Sequence, residues 1–308
     1  MKLDNYFEFE DQFRGSRKEI KSRLSSYDGL INYILKTIDS PKILDVGSGR
    51  GEWLEKCQEK GFEVTGIEQN SQMISYCQDK GLKIIPGSAI ETIEQFESEY
   101  FSIISAFHFI EHISHNDIYR LLEECRRILN PKGILILETP SIDNLQVSSR
   151  TFYLDPTHIT PVNPDGMIFS LEKVGFTQAK YYYINGDYLT DLDGQTITGI
   201  ISGSARDVCF IASLGDSEKM DAFGFERSWL STFNLSQSTM ELASNFDKKI
   251  NLQASKILSL EKQIEYLTYR QDKIFNNSIF RFYRRIKHEL KKAFNFIKLM
   301  LKNNFYFI

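Results

Sequence analysis

Two short stretches of this chain concentrate side chains that could do chemistry. The first is Asp45-Val46-Gly47-Ser48-Gly49-Arg50-Gly51, directly after the apolar run Lys42 to Val46 and before a helix-forming segment. Glycines so spaced leave backbone N–H groups bare and let a cofactor come close. Glu68 ends the next apolar run, a place from which a carboxylate accepts hydrogen bonds from both hydroxyls of an adenosyl ribose. The second stretch is His108-Phe109-Ile110-Glu111-His112. Four of the five histidines, His108, His112, His115 and His158, fall beside the mouth expected of the glycine loop. His158 sits in Arg150-Thr151-Phe152-Tyr153-Leu154-Asp155-Pro156-Thr157-His158-Ile159-Thr160-Pro161. That stretch is too polar and too bounded by proline for an ordinary connection, and reads as an acceptor loop with Tyr153 and Asp155 as acceptor contacts. A histidine is the natural base for an acceptor hydroxyl. His-x-x-Glu-His also spells an inverted zinc-peptidase motif, but that motif needs a continuous helix and a distant third ligand, whereas here it begins at a strand end.

The elements that must position these residues are legible from period and punctuation. Strands are expected at Lys42 to Val46, Glu63 to Glu68, Leu82 to Ile85, Phe101 to Phe107, Ile134 to Glu138, Ala179 to Ile184 and Val208 to Ser213. Helices are expected at Glu52 to Lys60 before Gly61, and at Ser71 to Lys80 with Asn70 as cap. A third runs to Leu129 from a cap at Asn116 or Asp117. Asn130-Pro131-Lys132-Gly133 forms a turn. Strands alternating with helices predict a doubly wound α/β sheet with right-handed crossovers.

After Leu214 the pattern changes to a heptad, with Ala243, Ile250, Ile257, Ile264 and Gln271 at a and Phe246, Gln253, Leu260, Leu267 and Ile274 at d. Isoleucine at a with leucine at d suits a parallel coiled coil and hence a homo-oligomer; the plainer alternative is one amphipathic helix packed on the α/β domain. The expected division is 1–40 helical cap, 41–214 catalytic domain, 215–235 linker, 236–277 coiled coil and 278–308 basic tail.

These motifs resemble the class I S-adenosylmethionine-dependent methyltransferases, whose first motif appears here as Ile43 to Gly51. The G-x-G-x-G spacing fits that family better than nicotinamide enzymes. The resemblance covers about residues 40 to 214, and takes in Glu68, Gly87-Ser88-Ala89, Ala106 to His112 and the turn Leu129 to Ile134. It implies a Rossmann-like seven-stranded sheet and S-adenosylmethionine as cofactor. By the same resemblance Asp45, Gly47 and Gly49 surround the methionine part, Glu68 holds the ribose, Ser88 and Ala89 flank adenine, and Ala106, Phe107 and His108 line the methyl-donor side. Ser88 departs from the aspartate the family often places there.

The Glu111-His112 pair recurs in quinone-type and small-RNA O-methyltransferases. Some of these relatives bind a divalent metal with that pair, a residue three before the acid and a distant histidine, a spacing matched in outline by His108, Glu111, His112 and His158. His108 replaces the usual acid, and imidazole prefers softer metals than Mg²⁺. Three roles stay open for Glu111, His112 and His158: a metal site, a metal-free histidine base, or an orienting group. Arg14, in Phe13-Arg14-Gly15-Ser16-Arg17, either closes over the cofactor carboxylate through a bidentate pair or belongs to a solvated helix start. This box and Phe152 to His158 resemble methyltransferases encoded with bacterial O-antigen and capsule enzymes, which implies a sugar hydroxyl as acceptor.

Net charge is −4 over 308 residues. From Ser278 to Ile308 there are eight basic residues (Arg281, Arg284, Arg285, Lys287, Lys291, Lys292, Lys298, Lys302) against Glu289, a net +7, so the rest carries −11. An acidic body argues against nucleic acid as partner, and a basic tail with Phe280, Phe282, Ile286, Leu290, Phe294, Ile297 and Leu301 at helical spacing suits an anionic membrane surface. No window is apolar enough to span a membrane, the N-terminus has no apolar signal region, and four dispersed cysteines give no disulfide or zinc framework. A cytoplasmic protein, peripheral at the inner face of the membrane, is expected. The order of catalytic domain, coil and tail resembles O-antigen chain-terminating methyltransferases, which act on lipid-linked polysaccharide and limit its length. The alternatives are a small quinone-like acceptor, or a membrane scaffold that recruits a glycosyltransferase.

Overall fold

Seven runs rich in β-branched and aromatic residues pair into one sheet: β1 (Lys42–Val46), β2 (Glu63–Glu68), β3 (Ile84–Pro86), β4 (Phe101–Phe107), β5 (Leu129–Pro140), β6 (Gln178–Ile184) and β7 (Asp207–Ser213). The computed structural model describes residues 6–186, 196–215 and 235–304, so nearly all of the expected linker lies outside the described residues. Strand order is β3-β2-β1-β4-β5-β7-β6. The first five strands run parallel, while β7 is antiparallel to both β5 and β6. Crossover helices on both faces cover the central strands, which are buried throughout. Alternate residues therefore enter different layers: Ile43, Ile103 and Ile134 join one core, and Leu44, Ile104 and Leu135 the other.

The helices of this unit are α1 (Tyr6–Phe13), α2 (Arg17–Arg23), α3 (Asp28–Thr37), α4 (Glu52–Glu59), α5 (Ser71–Gln78), α6 (Ala89–Ile93), α7 (His115–Ile128), α8 (Pro164–Val174) and α9 (Ile197–Gly203). Asn70 caps α5 as expected, its side chain accepting from Gln72 and Met73 N–H. The cap of α7 is Ser114, not Asn116 or Asp117, because Ser114 accepts from Asp117 N–H and its hydroxyl donates to the Asp117 carboxylate. The expected turn at Asn130 to Gly133 falls inside the bounds of β5, as an irregularity where the pairing with β4 shifts register. All four cysteines are buried and free.

Two units divide the chain, Met1–Phe246 and Asp247–Ile308. Uninterrupted helix carries the heptad, in α10 (Thr239–Asn276), and Asn277 separates it from α11 (Ser278–Asn304), which carries the basic amphipathic pattern. Among the described residues no helix is long and apolar enough to cross a membrane.

Candidate active site

The glycine loop turns where the sequence lacks side chains. Gly47, Gly49 and Gly51 have φ of 69°, 52° and 74°, the left-handed region that glycine enters without penalty. A Cβ on Gly47 would stand 2.5 Å from Phe109 Cδ2. The loop is tied down from beneath, since Gly47 and Ser48 N–H donate to the Ile67 carbonyl and Gly49 N–H to Glu68 Oε2. Glu68 Oε1 accepts from Gln69 and Asn70 N–H, so three backbone donors fix its carboxylate at the end of β2. Arg50, 1% exposed, turns away from the cleft to Glu52 and the Gly15 carbonyl. Arg17 donates to the Arg50 carbonyl and pairs with Glu52 and Glu55, which staples α2 to α4. The solvated-helix expectation is met in part: Ser16 caps α2 in a capping box with Glu19, but Arg17 is no free surface charge.

Two adjoining cavities open above the C-terminal ends of the strands, the usual ligand position in an open α/β sheet. The first, about 950 Å³ with the space open to solvent, is lined by Gly47, Gly49, Glu68, Ser88, Ala89 and Met73 among others. The second, about 1140 Å³ counted likewise, has Phe9, Phe13, Phe107, Leu154, Asp155 and His158 in its wall. Tyr6, Glu10, Arg14, His108 and His112 line both. Arg14 Nη1 pairs with Glu10 at 2.8 Å and Nη2 reaches the Phe107 carbonyl at 3.5 Å. Burial opposes its charge, but Glu10 and Glu52 outweigh burial and hold the guanidinium firmly protonated.

Four expected contacts lie elsewhere. Asp45 and Ala106 are behind the cleft wall: Asp45 is paired across the sheet with Ser105, whose hydroxyl donates to its Oδ1 at 2.7 Å, and Ala106 is 1% exposed in the core. Tyr153 points out, 66% exposed, because the tight turn Phe152–Leu154 buries Phe152 against His158 and aims Leu154 at the cavity. Phe107 lines the second cavity rather than the first, and meets Tyr27 edge-on and the tilted ring of Trp53.

Burial pushes the Asp45 carboxyl up from 3.8 to about 7, although Ser105 and Arg14 pull it down. A carboxyl with a raised folded pKa binds its proton more tightly folded than unfolded. Its contribution to stability is therefore complete below the unfolded pKa and declines as pH rises toward about 7. Asp45→Asn should flatten the pH dependence of Tm between pH 5 and pH 8, with its gain at the alkaline end. Parallel Tm profiles for the two proteins would contradict this.

The histidines divide by environment. His108 adopts φ of 52°, and its ring lies 3.3 Å from Glu111, 3.5 Å from Glu138 and 3.7 Å from Asp207. Burial works against its charge, yet Asp207, Glu111 and Glu138 prevail and raise its pKa to about 10. These carboxylates favour the protonated ring, which weakens His108 as a base. Burial raises the Glu111 carboxyl, but charged His108 wins and lowers it. Burial also lowers His112, against the pull of Glu111, and so favours its neutral form.

Hydrogen bonds assign the tautomers. Thr157 Oγ1 gives its hydrogen to Asp155 Oδ1 at 2.6 Å, so at 2.8 Å from His112 Nδ1 it can only accept. His112 therefore carries its hydrogen on Nδ1 and leaves a lone pair on Nε2. His158 Nδ1 donates to the Phe152 carbonyl at 2.7 Å, which leaves its Nε2 free as well, 4.0 Å from Glu111 Oε1. Neighbouring His112 and His158 rings meet edge to face at 4.6 Å.

Ligating atoms of Glu111, His112 and His158 come within 4.8 Å of one another, whereas His108 groups with Glu138 and Asp207. The expected four-residue set is thus two groups. Glu111 Oε1, wholly buried, has His108 Nδ1 3.3 Å away. Two imidazole nitrogens and this oxygen fit a divalent ion of the kind that tolerates nitrogen donors.

Several residues of the cleft carried little sequence signal. Tyr6, Glu10 and Arg14 follow one another at i, i+4 and i+8, a helical face visible only once α1 is known to exist. Thr157 lay in the acceptor loop without a role, Glu138 read as a strand end, and Asp207 lay just before the expected strand at Val208.

A glycine cradle with an acid after β2, beside a second cavity with a free histidine nitrogen at the shared wall, is the arrangement of a Rossmann-like transferase that binds an adenosyl donor. A family model for a methyltransferase domain matches residues 18–180. The chain belongs to that methyltransferase family and is an S-adenosylmethionine-dependent enzyme. A solved S-adenosylmethionine-dependent methyltransferase from Archaeoglobus fulgidus is 30% identical, with a TM-score of 0.58, covering 67% of this chain and 98% of that one. A putative methyltransferase of Bacillus subtilis (strain 168), YqeM, is 28% identical over 121 residues, which are 37% of this chain and 49% of the relative. A ubiquinone biosynthesis O-methyltransferase of Actinobacillus pleuropneumoniae serotype 7 (strain AP76) is 29% identical over 109 residues, 32% of this chain and 45% of the relative. The chain spans about half the length of the curated relatives it matches.

Proposed function

We propose that the enzyme methylates a hydroxyl of a lipid-linked surface polysaccharide, with His112 as the base. The observation that carries the base is His112 itself: the residue lines both cavities, and the Thr157 contact leaves a lone pair on its Nε2. S-adenosylmethionine, when bound, supplies the methyl electrophile; the glycine loop and Glu68 would hold it. The chain's own residues align the acceptor oxygen and take its proton on His112, while His108, already charged, takes none. Carboxylates of Glu10, Glu138 and Asp155 among Tyr6, Phe9, Phe13 and Phe107 give the second cavity acceptors for sugar hydroxyls and rings for sugar C–H faces.

Acceptors borne by a membrane suit the other unit. Helix α11 sets Arg281, Arg284, Arg285, Lys287, Lys291 and Lys292 beside exposed Phe282, Ile286, Leu290 and Phe294, and basic residues near an anionic surface are worth about 1 kcal/mol each. The heptad of α10 supports a homo-oligomer, and the two helices together support a place at the inner face of the membrane next to a glycosyltransferase. Deleting Ser278 to Ile308 should abolish salt-sensitive cosedimentation with phosphatidylserine vesicles; equal sedimentation of the two proteins would refute the membrane role.

Transfer of labelled methyl to lipid-linked polysaccharide tests the acceptor. Label in the polymer supports the proposal. Label only in a small organic-soluble phenol would favour the second reading, a quinone-like acceptor, for which the apolar wall of Phe9, Phe13, Ile20 and Leu24 and the ubiquinone-pathway relative speak. A divalent ion held by Glu111, His112 and His158 would supply charge to stabilise a developing alkoxide. Loss of transfer with EDTA and its return with added metal would establish that ion, and unchanged transfer would leave the metal-free base.

A further inference from the structure

Helix α1 reaches the catalytic relay through one side chain. The Tyr6 hydroxyl donates to Asp155 Oδ2 at 3.1 Å. The other oxygen of that carboxylate takes both the Thr157 hydroxyl and the Thr157 N–H, at 2.6 and 2.8 Å. Thr157 in turn receives His112 Nδ1–H. The Tyr6 ring also stands edge-on to the His112 ring, with centroids 6.3 Å apart. One residue thus touches the first and last members of the chain Asp155, Thr157, His112 and lines both cavities.

We propose that Tyr6 is a positioning residue for methyl transfer: docking of α1 over the cleft orients Asp155 and Thr157, and through them His112, so that the base is aligned only when the cleft is covered. This rests on the assignment of His112 as the base. A helix of eight residues is too short to persist alone in water. Its place therefore depends on side-chain contacts such as Tyr6 to Asp155 and His112 and Phe7 against Tyr76 at 5.8 Å, with Arg14, directly after the helix, reaching the Phe107 carbonyl. The contacts of Tyr6 and Arg14 end on the cleft walls themselves, so a cleft that opens to exchange ligands also loosens the relay. The arrangement links access to chemistry: proton removal waits until α1 has closed out water.

Tyr6→Phe keeps the ring and removes the hydroxyl that meets Asp155 and Thr157. It should lower kcat by roughly ten-fold, within the 10- to 100-fold range seen when an outer partner of a functional histidine is lost, and leave the S-adenosylmethionine Kd unchanged. Thr157→Val interrupts the relay between the two residues. In that background Tyr6→Phe should change kcat by less than about two-fold, since coupled residues are non-additive and independent ones add. A purely structural tyrosine would lower thermal stability or cofactor affinity and would act equally in both backgrounds. Wild-type kcat in Tyr6→Phe beside an impaired His112→Ala overturns the role of Tyr6 alone, as does a full ten-fold loss repeated on Thr157→Val. Wild-type kcat in His112→Ala overturns the base and the role of Tyr6 together.

Discussion

His112→Ala lowers kcat by about 10²- to 10⁴-fold, the usual contribution of a positioned general base, while S-adenosylmethionine binds as before. The expectation follows from position and state. His112 lines both cavities, its Nε2 keeps a lone pair, and burial favours the neutral ring. His158→Ala should act more weakly on catalysis, because its Nδ1 is committed to the Phe152 carbonyl and its ring braces His112 from one side. Single-turnover methyl transfer and calorimetric cofactor binding, measured on the same preparations, check both. A His112→Ala enzyme that turns over like the wild type, or one that fails to bind the cofactor, would refute the base assignment.

Gly47→Val weakens S-adenosylmethionine binding by roughly 100-fold. Left-handed backbone costs a β-branched residue on the order of 1–2 kcal/mol, and forcing a side chain into filled space adds about 1–3 kcal/mol. The new Cβ alone would lie 2.5 Å from the Phe109 ring. The loop escapes by leaving the conformation that faces the cofactor, and binding must restore it. Gly49→Val should be milder, as its Cβ would meet the ends of two flexible side chains, Arg14 Nη1 at 3.4 Å and Glu10 Oε2 at 3.8 Å. Titration calorimetry with thermal melts reads both effects. Unaltered cofactor affinity in folded Gly47→Val would show that the cradle is not where the cofactor sits.

Much of the central sheet was legible because buried parallel strands are short apolar runs between turn residues. Strands β1, β2 and β4 begin and end where Pro41, the glycine loop, Gly61 and the polar flanks dictate. Strand β5 was harder: Leu129 to Gly133 looks like a turn by composition, and only pairing with β4 draws it into the strand. The turns of the glycine loop were legible since left-handed backbone favours glycine there. The direction of Asp45 was not, because whether a strand-end carboxylate faces the cleft or a neighbour such as Ser105 depends on register across the sheet. The histidine cluster was visible as composition but not as chemistry. Three carboxylates around His108, two of them from β5 and β7, favour its charged form, and no local pattern joins residues 108, 138 and 207. Likewise Tyr6 and Asp155 are 149 positions apart, and only the folded chain makes them partners.

The most direct measurement is a crystal structure of the enzyme with S-adenosylhomocysteine. The expected result places the ribose hydroxyls on Glu68 and the sulfur at the shared wall, facing His112 Nε2 across the second cavity. A sulfur turned away from His112, or a ribose held elsewhere while Glu68 keeps only its three backbone partners, would contradict both the cradle and the base.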